Sequence, residues 1–353
     1  MTSNTKFNFG ERLGIFLIVE AASISALSVA ALLVYVAFGL FKRVQARRVL
    51  RKHSMDADHW DASNSVYFIS LMCAELIQAL GGLLNIRWII DAEVIEGTLC
   101  VAQGILKQTG DVTVALTSLA LAIHTFNVLV MRWRAPPWLS IVIVSLIWIF
   151  IALNVGISYA TYPGNYYGNT GYWCWIRAEY GAERIALEYL WLWIALAVMV
   201  IIYGLIALVM RGFIVVDEGV HFMIQGNRVR QDLTAADDED ERQSKAVANL
   251  MLIYPAVYAV CVFPVTIVRW LNFSDGVYVP PGATFFASVL FSSSGLFNSI
   301  LYTATRPDFV ASTITPLGIP DAKLDDDFPG QLVDFGLDSN AVSLSHSRQD
   351  RDR

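Results

Sequence analysis

The chain is short of charge. Among its 353 residues only 16% are Asp, Glu, Lys or Arg, while 56% are apolar. Soluble domains carry about 25% charged residues, because their surfaces need them. This composition argues against a soluble enzyme, a disordered regulator and a nucleic-acid binder. The net charge of −6 offers no basic surface to a phosphate backbone. Cysteine is scarce as well: there are four, at 73, 100, 174 and 261, and no two form a C-x-x-C pair. The GxxxxGK, GxGxxG and HExxH patterns are missing, so phosphate, dinucleotide and zinc chemistry lack sequence support. No Ser/His/Asp set or catalytic carboxylate pair is recognisable, and neither enzymatic activity nor a cofactor is expected.

What the sequence has in abundance is long apolar runs, with a mean hydropathy of +0.51. A bilayer core about 30 Å thick is crossed by roughly 20 apolar residues in a helix. Seven runs meet that requirement, at 13–41, 65–90, 98–131, 138–159, 185–210, 246–271 and 284–303. The expected fold is an all-α bundle of seven transmembrane helices over residues 13–303. A short tail, 1–12, precedes it, and a polar tail, 304–353, expected to be disordered, follows it. Basic residues concentrate in alternate loops: Lys42, Arg43, Arg47, Arg48, Arg51 and Lys52 after the first run, Arg132 and Arg134 after the third. The loop between them, 91–97, carries Asp91, Glu93 and Glu96 and no base. This asymmetry predicts the N-terminus outside and the C-terminus in the cytoplasm. The first run reads as an uncleaved signal anchor.

Two cysteines then fall on the oxidising side: Cys100 at the outer end of the third span and Cys174 in the loop between the fourth and fifth. A disulfide between them is permitted and expected. Cys73 and Cys261 lie inside spans, where a thiol behaves as a small hydrophobe.

Charges inside the spans are costly, at least about 2.5–3.5 kcal/mol each at mid-bilayer, so each needs a partner or a cavity. Lys107 and Asp111 are four residues apart on one face of the third span. Two compatible readings stay open: an internal ion pair, or part of an outer-half binding cavity. Arg87, Glu188 and Arg269 belong to the same candidate cavity, although Arg87 and Arg269 at span ends also suit snorkelling to headgroups. Convergence of Arg87, Lys107 and Arg269 would suit an anionic or hydroxyl-rich ligand, with Trp173 and Trp175 as a lid or as interface anchors. Deeper in the bundle, Glu75 and Asn298 are expected to form a polar cluster between the second and seventh spans, either static or rearranging on activation. His124 sits at the inner end of the third span. Pro255 and Pro264 interrupt the sixth and are expected to kink it.

The local words add a resemblance. Gly171-Tyr172-Trp173-Cys174-Trp175-Ile176 resembles the Cys-Trp signature in the second outer loop of the cyclic-AMP-receptor-like family of G-protein-coupled receptors in slime moulds and fungi, to which fungal glucose-sensing receptors are related. Residues 110–118, Gly-Asp-Val-Thr-Val-Ala-Leu-Thr-Ser, resemble the third span of the same set. The resemblance extends over about 14–307. Asn298-Ser299-Ile300-Leu301-Tyr302 is similar to the Asn-Pro-x-x-Tyr element of rhodopsin-like receptors, with Ser299 in place of proline. The Asp-Arg-Tyr triplet of that class is replaced by His124-Thr125-Phe126. The resemblance implies a multi-pass plasma-membrane receptor for an extracellular small-molecule ligand. It further implies cyclic-AMP-linked signalling through a heterotrimeric G protein contacted by Arg132 and Arg134, and an activation network of Glu75, His124, Asn298 and Tyr302. A membrane transporter or channel is the alternative reading. A retinal protein is disfavoured because the seventh span has no lysine.

Overall fold

The structure is a computed structural model that describes residues 6–49, 58–131, 133, 135–210, 214–216, 220–222, 256–271 and 278–305. It is mostly helical. In chain order the elements are α1 (Phe9–Val49), α2 (Asp58–Leu83), α3 (Asn85–Asp91), α4 (Thr98–Leu129), α5 (Pro137–Thr161), β1 (Tyr167–Asn169), β2 (Cys174–Ile176), α6 (Gly181–Arg184), a π-helical turn (Ile185–Tyr189) and α7 (Leu190–Met210). They are followed by β3 (Ile214–Val216), β4 (Val220–Phe222), α8 (Ala256–Leu271), α9 (Pro281–Ser292) and α10 (Ser294–Thr305).

Among the described residues, six helical stretches are long and apolar enough to cross a membrane, and α8 is a shorter apolar helix. The expected sixth span is thus represented by 256–271, and its first part, with Pro255, lies outside the described residues. The six stretches show why a bilayer is required. The most apolar window of α5 is only 17% buried within the bundle. Leu146, Ile149, Leu153 and Ile157 stand exposed along it. An apolar face of that length is untenable in water and ordinary against lipid.

Local chemistry sets the helix ends. Asn8 caps α1: its Oδ1 accepts the Glu11 N–H at 2.9 Å, and Glu11 Oε2 accepts the Asn8 N–H at 2.9 Å. This reciprocal capping box starts the helix at Phe9, so the expected tail of 1–12 is shortened. Pro137 and Pro281 occupy first-turn positions, where the missing N–H costs nothing.

Helix α4 is the central post, packed on α2, α5 and α7, while α1 packs on α2, α9 and α10. The main core joins Val29, Met72, Val112, Ala115, Ala195, Met199, Ile206 and Val262 from five helices. Helices α2 and α4 approach closely at Gly110, where a Cβ would lie 2.7 Å from Gln78 Cα. Small residues of this kind let backbones meet in membranes.

The all-α expectation needs one correction. Two short antiparallel ribbons, β1–β2 and β3–β4, are present. Strands of three residues are too short to leave a period-two signature in sequence.

Candidate functional site

The β1–β2 ribbon closes one end of the bundle. Cys174 pairs with Asn169 and Trp175 with Gly168. Successive side chains of a strand point to opposite faces. Cys174 therefore turns toward α4 and forms the expected disulfide with Cys100, Cα–Cα 5.1 Å. Trp173 and Trp175, on the other face, turn into the bundle, where both are buried. Three further ties hold the ribbon. The Tyr167 hydroxyl donates to Gln108 Oε1 at 2.6 Å, and burial raises the phenol pKa, keeping it a neutral donor. Arg177 pairs with Glu96 at 2.8 Å. Gln103 completes the set. Its Oε1 accepts the Cys174 and Trp88 Nε1 N–H groups, each at 2.8 Å, and its Nε2 donates to Gly81 O at 3.1 Å and Asn85 Oδ1 at 2.8 Å. All four hydrogen-bonding sites of that amide are filled.

Beneath the two tryptophans lies a cavity of about 40 Å³ lined by Lys107, Asp111, Glu188, Arg269, Tyr189 and Ser288 among others. Its cations rest on the aromatic roof. Lys107 Nζ is 5.1 Å and Arg269 Cζ 4.9 Å from the Trp173 ring centre, and Arg269 is 5.4 Å from that of Trp175. Desolvated cation–π contacts of this kind are worth about 2 kcal/mol. Arg184 also lies over Trp175, at 4.8 Å, and donates from Nε to Ile176 O at 2.7 Å. The Trp175 Nε1–H donates to Glu188 Oε2 at 2.6 Å. Glu188 reaches this position from the π-helical turn, which shifts the facing of a helix and recurs at functional sites.

The structure thus brings Lys107, Asp111, Trp175, Glu188 and Arg269 together, as expected. It does not bring Arg87. That side chain is 56% exposed and pairs with Asp91 at 2.7 Å, one turn along α3. A local partner already satisfies its charge, which corrects its expected place in the cavity. No direct ion pair within 4.0 Å joins Lys107 to Asp111 among the described residues, although their charges interact.

Asp111 also lines a second, deeper cavity of about 10 Å³ with Tyr258, Cys261, Ser294 and Asn298. That cavity ends at the expected polar cluster. Ser294 Oγ donates to Glu75 Oε2 at 2.7 Å and Asn298 Nδ2 to Glu75 Oε1 at 2.5 Å. The last span is interrupted there for one residue, Ser293, between α9 and α10, although Ser293 keeps a right-handed helical backbone. Ser25 bridges the break: its Oγ donates to Ser292 O at 2.6 Å and accepts the Leu296 N–H at 3.2 Å. Backbone freed inside a membrane must find such partners within the protein.

Two members of the expected four-residue network are joined directly. Glu75 and Asn298 are joined, with Ser294 as a member that sequence reasoning missed. His124 instead packs on Tyr67, ring centres 5.5 Å apart, and Tyr302 stacks on Phe68 at 3.5 Å. Tyr67 and Phe68 precede Glu75 by eight and seven residues on α2, about two helical turns. Arg132 and Arg134 lie outside the described residues. Gln103 and Arg184 were also missed, since a lone amide or guanidinium in a span carries no motif. Compared with models of known protein families and with curated proteins, the chain matches none.

Proposed function

We propose that the chain is a seven-span receptor that binds a small polar ligand in the cavity beneath the disulfide-anchored ribbon and promotes nucleotide exchange on a heterotrimeric G protein at the opposite end. In this reading the ribbon is extracellular, the N-terminus is outside, and 246–271 supplies the remaining span in the plasma membrane. Signalling is linked to cyclic AMP. The observation that carries the proposal is the polar column: one charged cavity under two tryptophans, continued by Asp111 into a second cavity that ends at Ser294 and Asn298, the partners of Glu75. A ligand shifts such an equilibrium only through different affinities for two states. In this reading the hydrogen-bonded interruption between α9 and α10 is the element that rearranges.

Exchange measured on the purified chain in lipid, with sugars, nucleotides and amino acids as probes, tests the proposal. Exchange above the empty-lipid control is the expected result. A second prediction concerns the loop after α4. Replacing Arg132 and Arg134 together by Ala is expected to slow exchange at least about tenfold while ligand affinity changes less than twofold. Unchanged exchange at equal surface amounts removes that loop from the G-protein contact.

The break in the last span also favours a second reading, because broken helices beside buried carboxylates are a transporter device. Solute uptake by the same vesicles, without exchange, would select it.

A further inference from the structure

The cavity beneath the tryptophans is polarised. Its positive groups, Lys107 and Arg269, lie against the indole roof at 5.1 and 4.9 Å from Trp173. Its negative floor is Asp111, four residues further along α4 from Lys107, about one helical turn deeper. Asp111 is more than nine-tenths buried; it lies within hydrogen-bonding reach of Glu188, and only its Oδ1 has no hydrogen-bond partner among the described residues. A buried carboxylate oxygen left without a donor is costly. Glu188, the other acid, is engaged by the Trp175 indole N–H. The cavity's two cations and two acids balance in number, yet no cation–carboxylate pair within 4.0 Å closes inside it among the described residues.

Each simple ligand class meets this arrangement incompletely. An anion answers Lys107 and Arg269 and adds repulsion at Asp111. A cation does the reverse. A neutral polyol leaves both tiers without a counter-charge. A molecule with a carboxylate at one end and an ammonium at the other answers both. Size points the same way. A volume of about 40 Å³ is the scale of about three or four waters, at about 10–15 Å³ for each. That matches a head group of a few heavy atoms, and neither a hexose nor a nucleotide.

We infer that the cavity recognises a small zwitterion of the α-amino-acid class, its carboxylate between Lys107 and Arg269 and its ammonium donating to Asp111. The inference rests on reading this cavity as the ligand site. Arg and Lys bind the carboxylate by charge-assisted hydrogen bonds, and Asp111 gains the donor it lacks.

The test is binding to the full-length chain in lipid nanodiscs, followed by thermal unfolding and calorimetry. The probes are glycine, L-alanine and L-serine, with acetate and methylammonium as half-molecules and glucose and cyclic AMP as larger comparisons. At least one amino acid is expected to bind about tenfold or more tightly than either half-molecule. Asp111→Asn, which keeps the side-chain shape, is expected to weaken amino-acid binding about tenfold and leave acetate binding in place. Lys107→Met is expected to weaken acetate and amino acids alike and spare methylammonium. Binding of none of the three amino acids overturns the inference. So does acetate binding as tightly as alanine, or unchanged amino-acid affinity in folded Asp111→Asn. The two readings fail separately. Amino-acid binding without nucleotide exchange leaves the zwitterion site and removes the receptor. Exchange driven by glucose or cyclic AMP, with no amino-acid binding, keeps the receptor and removes the zwitterion.

Discussion

Gln103 shows how one residue governs the site without touching the cavity. Its carbonyl holds the Cys174 backbone N–H and the Trp88 indole, and its amide holds α2 through Gly81 and α3 through Asn85. Replacing it by Leu removes the acceptor for two buried donors. An orphaned buried donor costs about 1–3 kcal/mol. Gln103→Leu is therefore expected to lower the thermal midpoint clearly and to weaken ligand binding by releasing the ribbon. A midpoint equal to that of the native chain would show that water replaces the amide. Neither Gln103 nor Arg184 was legible from sequence, since each is one polar residue in an apolar run and its partners come from elsewhere in the chain. Arg87 illustrates the converse. Its position at a span end suggested the cavity, but Asp91, one turn on, was the nearer counter-charge. The Lys107–Asp111 pair was legible because helical spacing places both on one face, and their lack of direct contact was not.

At the scale of elements, the ribbon and the interrupted last span are the two parts that border the cavities. The disulfide pins β2 to the start of α4 and closes a loop of 74 residues in sequence. Bridges of this size stabilise by about 2–5 kcal/mol. Cys174→Ser is expected to lower the unfolding midpoint and reduce ligand affinity, because the two tryptophans flank that cysteine in the chain. Equal midpoint and affinity in the Ser variant would detach the bridge from the site. Gly110 tests the contact of α4 with α2. Gly110→Ala would place a methyl 2.7 Å from Gln78 Cα, a backbone contact that cannot yield cheaply. Overpacking of this kind costs about 1–3 kcal/mol, read as a lower midpoint in lipid. The spans themselves were legible as apolar length, and the disulfide as two cysteines in loops of one side. The ribbon was not, because its strands are three residues each. Nor was the break before α10, where Ser292, Ser293, Ser294 and Gly295 follow one another inside an otherwise apolar run. Its meaning depends on Ser25 and Glu75, which are remote in sequence.

For the whole molecule, the polar column is the feature that separates this chain from a passive apolar bundle. It runs from Trp173 and Trp175 through Lys107 and Asp111 to Ser294, Asn298 and Glu75, with Asp111 shared by its two cavities. Polar groups this deep are expensive to insert and mark functional paths. In the proposed receptor, Asp111 is the link between the ligand and the opposite end. The measurement that tests this most directly is guanine-nucleotide exchange on a heterotrimeric G protein across an amino-acid titration. The native chain and Asp111→Asn would be reconstituted at equal amounts in the same lipid. That link predicts concentration-dependent exchange for the native chain and a curve displaced at least about tenfold to higher concentration for the variant. Coincident curves, or exchange in neither protein while both bind ligand, would contradict it.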